Sequence, residues 1–272
     1  MKVLLASNNS SSNHTNQTNQ TNQTSNSTSD NTSNNKEQAA CRRNQILRAK
    51  IDLQLNNYFR CPDTGHLTHE RWNLSATKRY TGAAIALATI IILLPLMLII
   101  AVSIKLTSNG PIFYAQDRTG YLGRRFKMYK FRTMVCDAEK LKSQLAHLNH
   151  QGKNSPDFKV REDPRITPVG KFLRKYSLDE LPQLFNVVIG DMRLVGPRPT
   201  SFSASTYDDS HLIRLAAPPG LTGIWQISGR SDIDFDQRVM LDYQYICEQS
   251  ALQDIKILFK TPLVVLRGDG AY

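Results

Sequence analysis

From Ala83 to Ile104 the chain reads AAIALATIIILLPLMLIIAVSI, twenty-two residues without a charge. At ~1.5 Å per residue a straight helix of this length covers the ~30 Å hydrocarbon core of a bilayer. Nothing else in the 272 residues is apolar enough to enclose it as the core helix of a soluble protein, so a membrane segment is expected. Pro95 lies near its centre, with twelve residues before it and nine after. Its ring removes a backbone donor and crowds the carbonyl of Ile91, which predicts a kink or break and two halves of roughly 14 to 18 Å, one leaflet each. A spanning helix usually shows an excess of Lys and Arg on its cytoplasmic side. Here Arg71, Lys78 and Arg79 precede the run and Lys105, Arg118 and Arg124 follow it. Proline also occurs in ordinary spanning helices, but three against three favours a re-entrant helix with both ends on one side.

Upstream, residues 8–35 are almost entirely Asn, Ser, Thr and Gln, with no Val, Ile, Leu, Phe or Trp. Such a stretch has nothing to bury, so 1–35 is expected to be a disordered tail. Its Asn-X-Ser/Thr triplets follow from that composition. Residues 36–77 read as a partly helical linker, with Ile46, Leu47, Ile51 and Leu55 at helical spacing, suited to a membrane surface or to a solvated helix. A formal net charge of +11 calls for an anionic partner: nucleic acid, anionic head groups or a phosphorylated substrate. Cys41, Cys61, Cys136 and Cys247 lie far apart, which indicates neither a zinc ribbon nor a disulfide framework. The grouping of Cys61 with His66 and His69 fits no common metal-ligand spacing.

Beyond the apolar run, Ile112 to Met134 contains two aromatic-rich runs separated by a Gly120–Gly123 turn and reads as a β-hairpin. Its second strand carries Arg124, Arg125, Lys127, Lys130 and Arg132, a dense cationic face that either guards an edge strand or meets phosphates or head groups. Residues 137–150 read as helix and 151–161 as a polar loop. Asp163-Pro164-Arg165-Ile166-Thr167-Pro168 is a turn leading into a helix over Val169–Tyr176. Ser177 is expected to cap the next short helix, with Asp179 and Glu180 in its first turn and Pro182 just inside.

Acids in a first helical turn complement the helix dipole, and that is the plain structural reading of Asp179-Glu180. The neighbouring residues suggest chemistry. Arg174 precedes the pair by five residues, and Gly190 to Pro199 (GDMRLVGPRP) places guanidinium donors on a rigid loop. Arginine's fork matches phosphate oxygens bidentately. A carboxylate beside a phosphate is tolerable when a Mg²⁺ ion or arginines intervene, so one acid as metal ligand and its neighbour as nucleophile is chemically sensible. Pro218 to Arg230 (PPGLTGIWQISGR) is a Gly-rich loop suited to closing over a nucleotide.

From about Lys78 to Leu266 the chain resembles the bacterial sugar transferase family, the monotopic polyprenyl-phosphate phosphoglycosyl transferases. The ordered features are a basic pair and Pro-interrupted apolar helix, then YKFRTM, DPRITPVGKFLRKYSLDELPQLFNV, GDMRLVGPRP, PGLTGIWQISGR and SALQDIKIL. The resemblance implies an α+β, mainly helical monotopic membrane protein: a Pro-broken re-entrant helix over 78–106, a β-hairpin, and a cytosolic helical catalytic domain over 107–272. It implies transfer of a sugar-1-phosphate from a UDP-sugar to polyprenyl (undecaprenyl) phosphate at the inner membrane, with release of UMP, to start exopolysaccharide or other glycoconjugate synthesis. Asp179 would be the covalent nucleophile and Glu180 the Mg²⁺ ligand. Lys130, Arg174, Arg198 and Asp254 would serve substrate binding, and nucleic acid would be no partner. Leu94 stands where family members often carry Ser before the proline, and the region before the apolar run implies the small form of the family. The competing readings are a membrane-anchored scaffold that binds anionic lipid, and an ordinary glycosyl transferase that releases UDP.

Overall fold

The apolar run forms one helix, α1 (Ala76–Thr107). Ser75 caps it, its hydroxyl accepting from the Lys78 N–H at 3.1 Å, and Lys105 lies in the last turn where a cation complements the dipole. At ~1.5 Å per residue its 32 residues extend ~48 Å. The helix continues through Pro95, so the expected break is not a separation into two helices. One lost donor is a local cost, and the Ile, Leu and Met around it keep the helix going. Thr89 and Ser103 bond the carbonyls of Ile85 and Ile99, each at 2.8 Å, so their hydroxyls need no water. Among the described residues α1 alone is long and apolar enough to cross a membrane.

The computed structural model describes residues 42, 45–47, 49–51, 72–144, 160, 163–229 and 233–268. The chain divides into two units, Met1–Ala49 and Lys50–Tyr272. The described residues of the first are helical; the 1–35 tail, most of the 36–77 linker and most of the 151–161 loop lie outside the described residues.

A stripe along α1, at Lys78, Gly82, Ala86, Ile90, Met97, Ile100 and Ile104, is buried. Steps of three, four and seven keep it on one face. The opposite face leaves Ile85, Ile91, Ile92, Leu98, Ile99, Val102 and Leu106 exposed. Ala86 and Ile90 pack with Phe126, Met128, Leu184, Val187 and Met192; beyond Pro95, Met97, Ile100 and Ile104 pack with Phe131 and Leu173. Both halves of the helix therefore lie against the same globular body.

The hairpin is as expected: β1 (Phe113–Thr119) pairs antiparallel with β2 (Arg125–Phe131) around a tight Tyr121–Gly123 turn. The dense cationic face is not. Strand parity splits the charges: Arg125 and Lys127 point outward, while Lys130 shares the inward face with Phe126 and Met128. Lys127 pairs with Asp117 at 3.0 Å, and the buried Arg132 bonds the Ser108 carbonyl at 2.9 Å and the Asn109 carbonyl.

The short helix α2 (Ala138–Gln144) precedes α3 (Pro168–Lys175). Thr167 caps α3 through the Gly170 N–H at 3.0 Å with Pro168 in the first turn, one residue ahead of the expected start at Val169. Gly170 is required because any Cβ would run into the Thr133 backbone. Then come α4 (Gln183–Ile189), β3 (Arg193–Val195), β4 (Gly220–Thr222), α5 (Ile224–Ser228), α6 (Phe235–Glu248) and α7 (Ala251–Arg267). Strands β3 and β4 pair in parallel, Arg193 with Gly220 and Val195 with Thr222. Tyr245, Ile246 and Ile257 from α6 and α7 pack around Val195.

Candidate active site

Asp179 and Glu180 lie on a single 3-10 turn, Leu178–Glu180, between α3 and α4. Ser177 precedes it in the left-handed region at φ 51° and makes no side-chain cap, so its capping role is not realised. A non-glycine residue there stores backbone strain, which surrounding packing must hold. That packing comes from Leu178 and Leu181: both join the cluster around Met97, Ile100 and Ile104, and Leu181 also joins the one around Ala86 and Ile90. The acid-bearing turn thus packs into the same apolar clusters as the membrane-type helix.

Two sequence-predicted residues contact the acids, and a third acts on them through its charge. Lys130 from β2 places Nζ 2.8 Å from Glu180 Oε1 and 3.5 Å from Asp179 Oδ2. Arg198 donates to both Glu180 oxygens, Nη1 to Oε2 at 3.0 Å and Nη2 to Oε1. Arg174 bonds Thr133 Oγ1 through Nε at 2.9 Å, and its charge acts on Asp179. This makes the two acids unequal. Burial drives Asp179 above the ordinary carboxylate range, and Lys130 offsets only part of that push while the Glu180 charge adds to it. Burial also pushes Glu180 upward, but Arg198 and Lys130 outweigh it and hold the carboxyl well below its usual value.

Asp254 is not brought to this pair. Its carboxylate meets Lys78 Nζ at 2.8 Å, the Trp72 indole N–H at 2.9 Å and the Tyr245 hydroxyl at 2.7 Å. Lys78 also donates to Tyr245 Oη at 2.5 Å and Asn73 Oδ1 at 2.6 Å. This cluster joins the start of α1 to α6 and α7.

Sequence reading missed the side chains that support the site. Asn186 on α4 is fully buried; its Oδ1 accepts from the Tyr129 N–H at 3.1 Å and its Nδ2 donates to the Lys127 carbonyl at 2.7 Å, fixing the stretch of β2 that presents Lys130. A lone Asn inside the apolar LFNVVI helix was its signal. Arg214, paired with Asp242 at 2.7 Å, donates to the Arg198 carbonyl at 3.1 Å. No local pattern marks that contact.

Two carboxylates among three cations, packed near a membrane-type helix, have the chemistry to handle an anion in a membrane-associated protein. The chain belongs to the bacterial sugar transferase family, which it matches over residues 73–268. It is 46% identical over 198 residues to the undecaprenyl-phosphate galactose phosphotransferase of Salmonella typhimurium, covering 72% of this chain and 41% of that protein. Against the UDP-glucose:undecaprenyl-phosphate glucose-1-phosphate transferase of Escherichia coli it is 40% identical over 189 residues, covering 65% of this chain and 38% of that one. The exopolysaccharide production protein ExoY of Sinorhizobium fredii is 40% identical over 199 residues, covering 72% of this chain and 88% of its own length. The chain therefore spans about two fifths of the first two relatives and most of the third.

Proposed function

We propose that this protein is a membrane-bound phosphoglycosyl transferase that moves a sugar-1-phosphate from a UDP-sugar to a polyprenyl phosphate. The opposite displacement of the two neighbouring acids carries this reading. Asp179 is the better nucleophile because burial raises its basicity. One Oδ attacks the β-phosphorus of the donor, the bond from that phosphorus to the oxygen bridging to the α-phosphorus breaks, and UMP leaves with that oxygen. An oxygen of the polyprenyl phosphate then attacks the same phosphorus and displaces Asp179, giving the polyprenyl-diphosphate sugar. Lys130, Arg174 and Arg198 hold phosphate charge as it shifts. The Salmonella and Escherichia relatives are named for activities of this class.

The acid pair fits Mg²⁺, which takes one or two carboxylates and completes its shell with waters and substrate phosphates. Among the described residues no group of three or more His, Cys, Asp or Glu is placed to hold a metal alone, so phosphate oxygens would share the ion. Glu180 is the residue that would hold it, exchanging contacts now made by Arg198 and Lys130. The ion would neutralise charge on the transferred phosphoryl group.

The lipid acceptor explains the membrane helix. Packing of both halves of α1 on one globular body supports a monotopic helix; in this reading both ends and the site lie on the cytoplasmic face of the inner membrane. The outer face of α7, with exposed Leu252, Ile255, Phe259, Leu263 and Leu266, also suits a lipid surface.

Purified protein given a panel of UDP-sugars with undecaprenyl phosphate should release UMP, and Asp179→Asn should abolish turnover. Release of UDP would instead identify an ordinary glycosyl transferase. In a background without native cysteines, single cysteines at Thr77 and Thr107 should both be shielded from a membrane-impermeant thiol reagent in intact cells; labelling at one end alone would mean a span.

A further inference from the structure

The Arg198 fork reaches both oxygens of Glu180, yet it projects from a loop of few regular contacts, Gly196 to Pro199. Three hydrogen bonds hold that loop's carbonyls: the Gly220 N–H to Pro197 at 2.9 Å, Arg214 Nη2 to Arg198 at 3.1 Å and, longer, Arg118 Nη1 to Pro199 at 3.5 Å. The second comes from a side chain, one with an unusual environment. Arg214 sits on the 3-10 segment Asp209–Ala216 among buried Leu212, Ile213 and Leu215. Its Nε is locked to Asp242 Oδ2 at 2.7 Å, the two side chains being 4% and 1% exposed, and its guanidinium lies over the Phe235 ring at 5.3 Å.

A buried ion pair is a poor way to gain stability, because desolvation offsets most of the attraction and an apolar pair of the same volume does as well. It is a good way to fix a direction. With Nε on Asp242 and the guanidinium over Phe235, Nη2 points at the carbonyl of the residue that grips Glu180.

We propose that Arg214, aimed by Asp242, is a positioning residue that sets the Arg198 guanidinium against Glu180. It touches neither donor nor acceptor and acts only through Arg198. This rests on the phosphoglycosyl transfer reading and extends it to a support that begins on α6. Lysine at 214 keeps the charge beside Asp242, but a single ammonium loses the fork that meets Asp242 and the Arg198 carbonyl together.

The test is a kinetic cycle on the full chain in detergent or nanodiscs, following UMP release with undecaprenyl phosphate and the accepted UDP-sugar. Arg214→Lys should lower kcat on the order of 10- to 100-fold with KM for the UDP-sugar nearly unchanged, the effect of a small misplacement of a catalytic group. Placed on Arg198→Lys, the same change should cost less than about twofold, because the group it positions is already lost. Asp242→Asn in the same cycle carries the same expectation should Arg214→Lys fail to fold. Multiplying losses in the double variant, or a fall in melting temperature with kcat retained, would overturn the proposal and leave the functional reading intact. Absence of UMP release from the unaltered protein would remove both.

Discussion

Two buried charge clusters sit on opposite sides of the same principle. At the acid turn, Asp179 and Glu180 face Lys130, Arg174 and Arg198, two negative charges against three positive ones. At the start of α1, Lys78 and Asp254 pair directly, with Tyr245, Asn73 and Trp72 completing their hydrogen bonds and the Arg193 charge also acting on Lys78. The second cluster is also the more closed. Its Lys78 side chain is 5% exposed, against 19% for Lys130 and 22% for Arg198. A surplus of cations with a wet side suits an anion; a sealed, directly bonded pair holds elements together.

Removing one charge from each cluster gives the largest contrast. Lys78→Met strands the Asp254 carboxylate in the interior, and losing one partner of a buried pair costs about 3–5 kcal/mol. The protein should lose most of its stability in detergent, read as thermal unfolding. Asp179→Asn should leave the melting temperature unchanged or raised, since burial already disfavours that ionised carboxyl, while turnover disappears. A strongly destabilised Asp179→Asn would put the two clusters in the same class.

Asp242 sharpens the comparison from a third place, since its pair is sealed yet linked to the site. Burial pushes its carboxyl up to about 6, against the pull of Arg214 and Arg238, and the hydroxyls of Tyr207 and Tyr245 also lie within its electrostatic reach. The folded state then holds a proton that the unfolded chain releases near pH 4. This contribution is fully present below that value and is lost as pH rises through about 6. A rise of roughly two units corresponds to about 3 kcal/mol across the window. Asp242→Asn should flatten that slope in chemical denaturation series between pH 4 and 7. An unaltered slope would mean that Asp242 stays ionised throughout.

The contrast also explains what the sequence could disclose. The hairpin, the capped start of α3 and the long apolar helix follow from local patterns: alternation, Thr167-Pro168, and an uncharged run. The inward face of Lys130 was readable too, since Phe126, Met128 and Lys130 share strand parity. The partner of Asp254 was not, because Lys78 lies 176 positions away and no periodicity connects them. Composition offered the cationic surplus only as a total of +11, without saying where three of those charges converge on an acid pair. Family resemblance supplied roles for Asp179 and Glu180; the geometry adds why they differ. The continuous course of α1 through Pro95 was likewise illegible, since it depends on a buried stripe that carries on past the proline.

The smallest effect concerns the strain beside the acids. Ser177 sits at φ 51°, ψ 23°, a conformation that glycine adopts without penalty and a Cβ-bearing residue does not. Ser177→Gly relieves that strain but also loosens the unfolded chain and, in use, the turn itself. The two stability terms oppose, so the melting temperature should move by less than the equivalent of about 1 kcal/mol. Activity is the informative readout. If the left-handed residue serves only to turn the chain, kcat stays as it was. If the strain holds Asp179 at its buried position between Leu178 and Leu181, kcat falls and the acid limb of the pH profile shifts downward, because a better-hydrated Asp179 ionises more easily. The seating of both leucines on α1 favours the first outcome, since apolar packing already fixes the turn that the strain would otherwise have to hold.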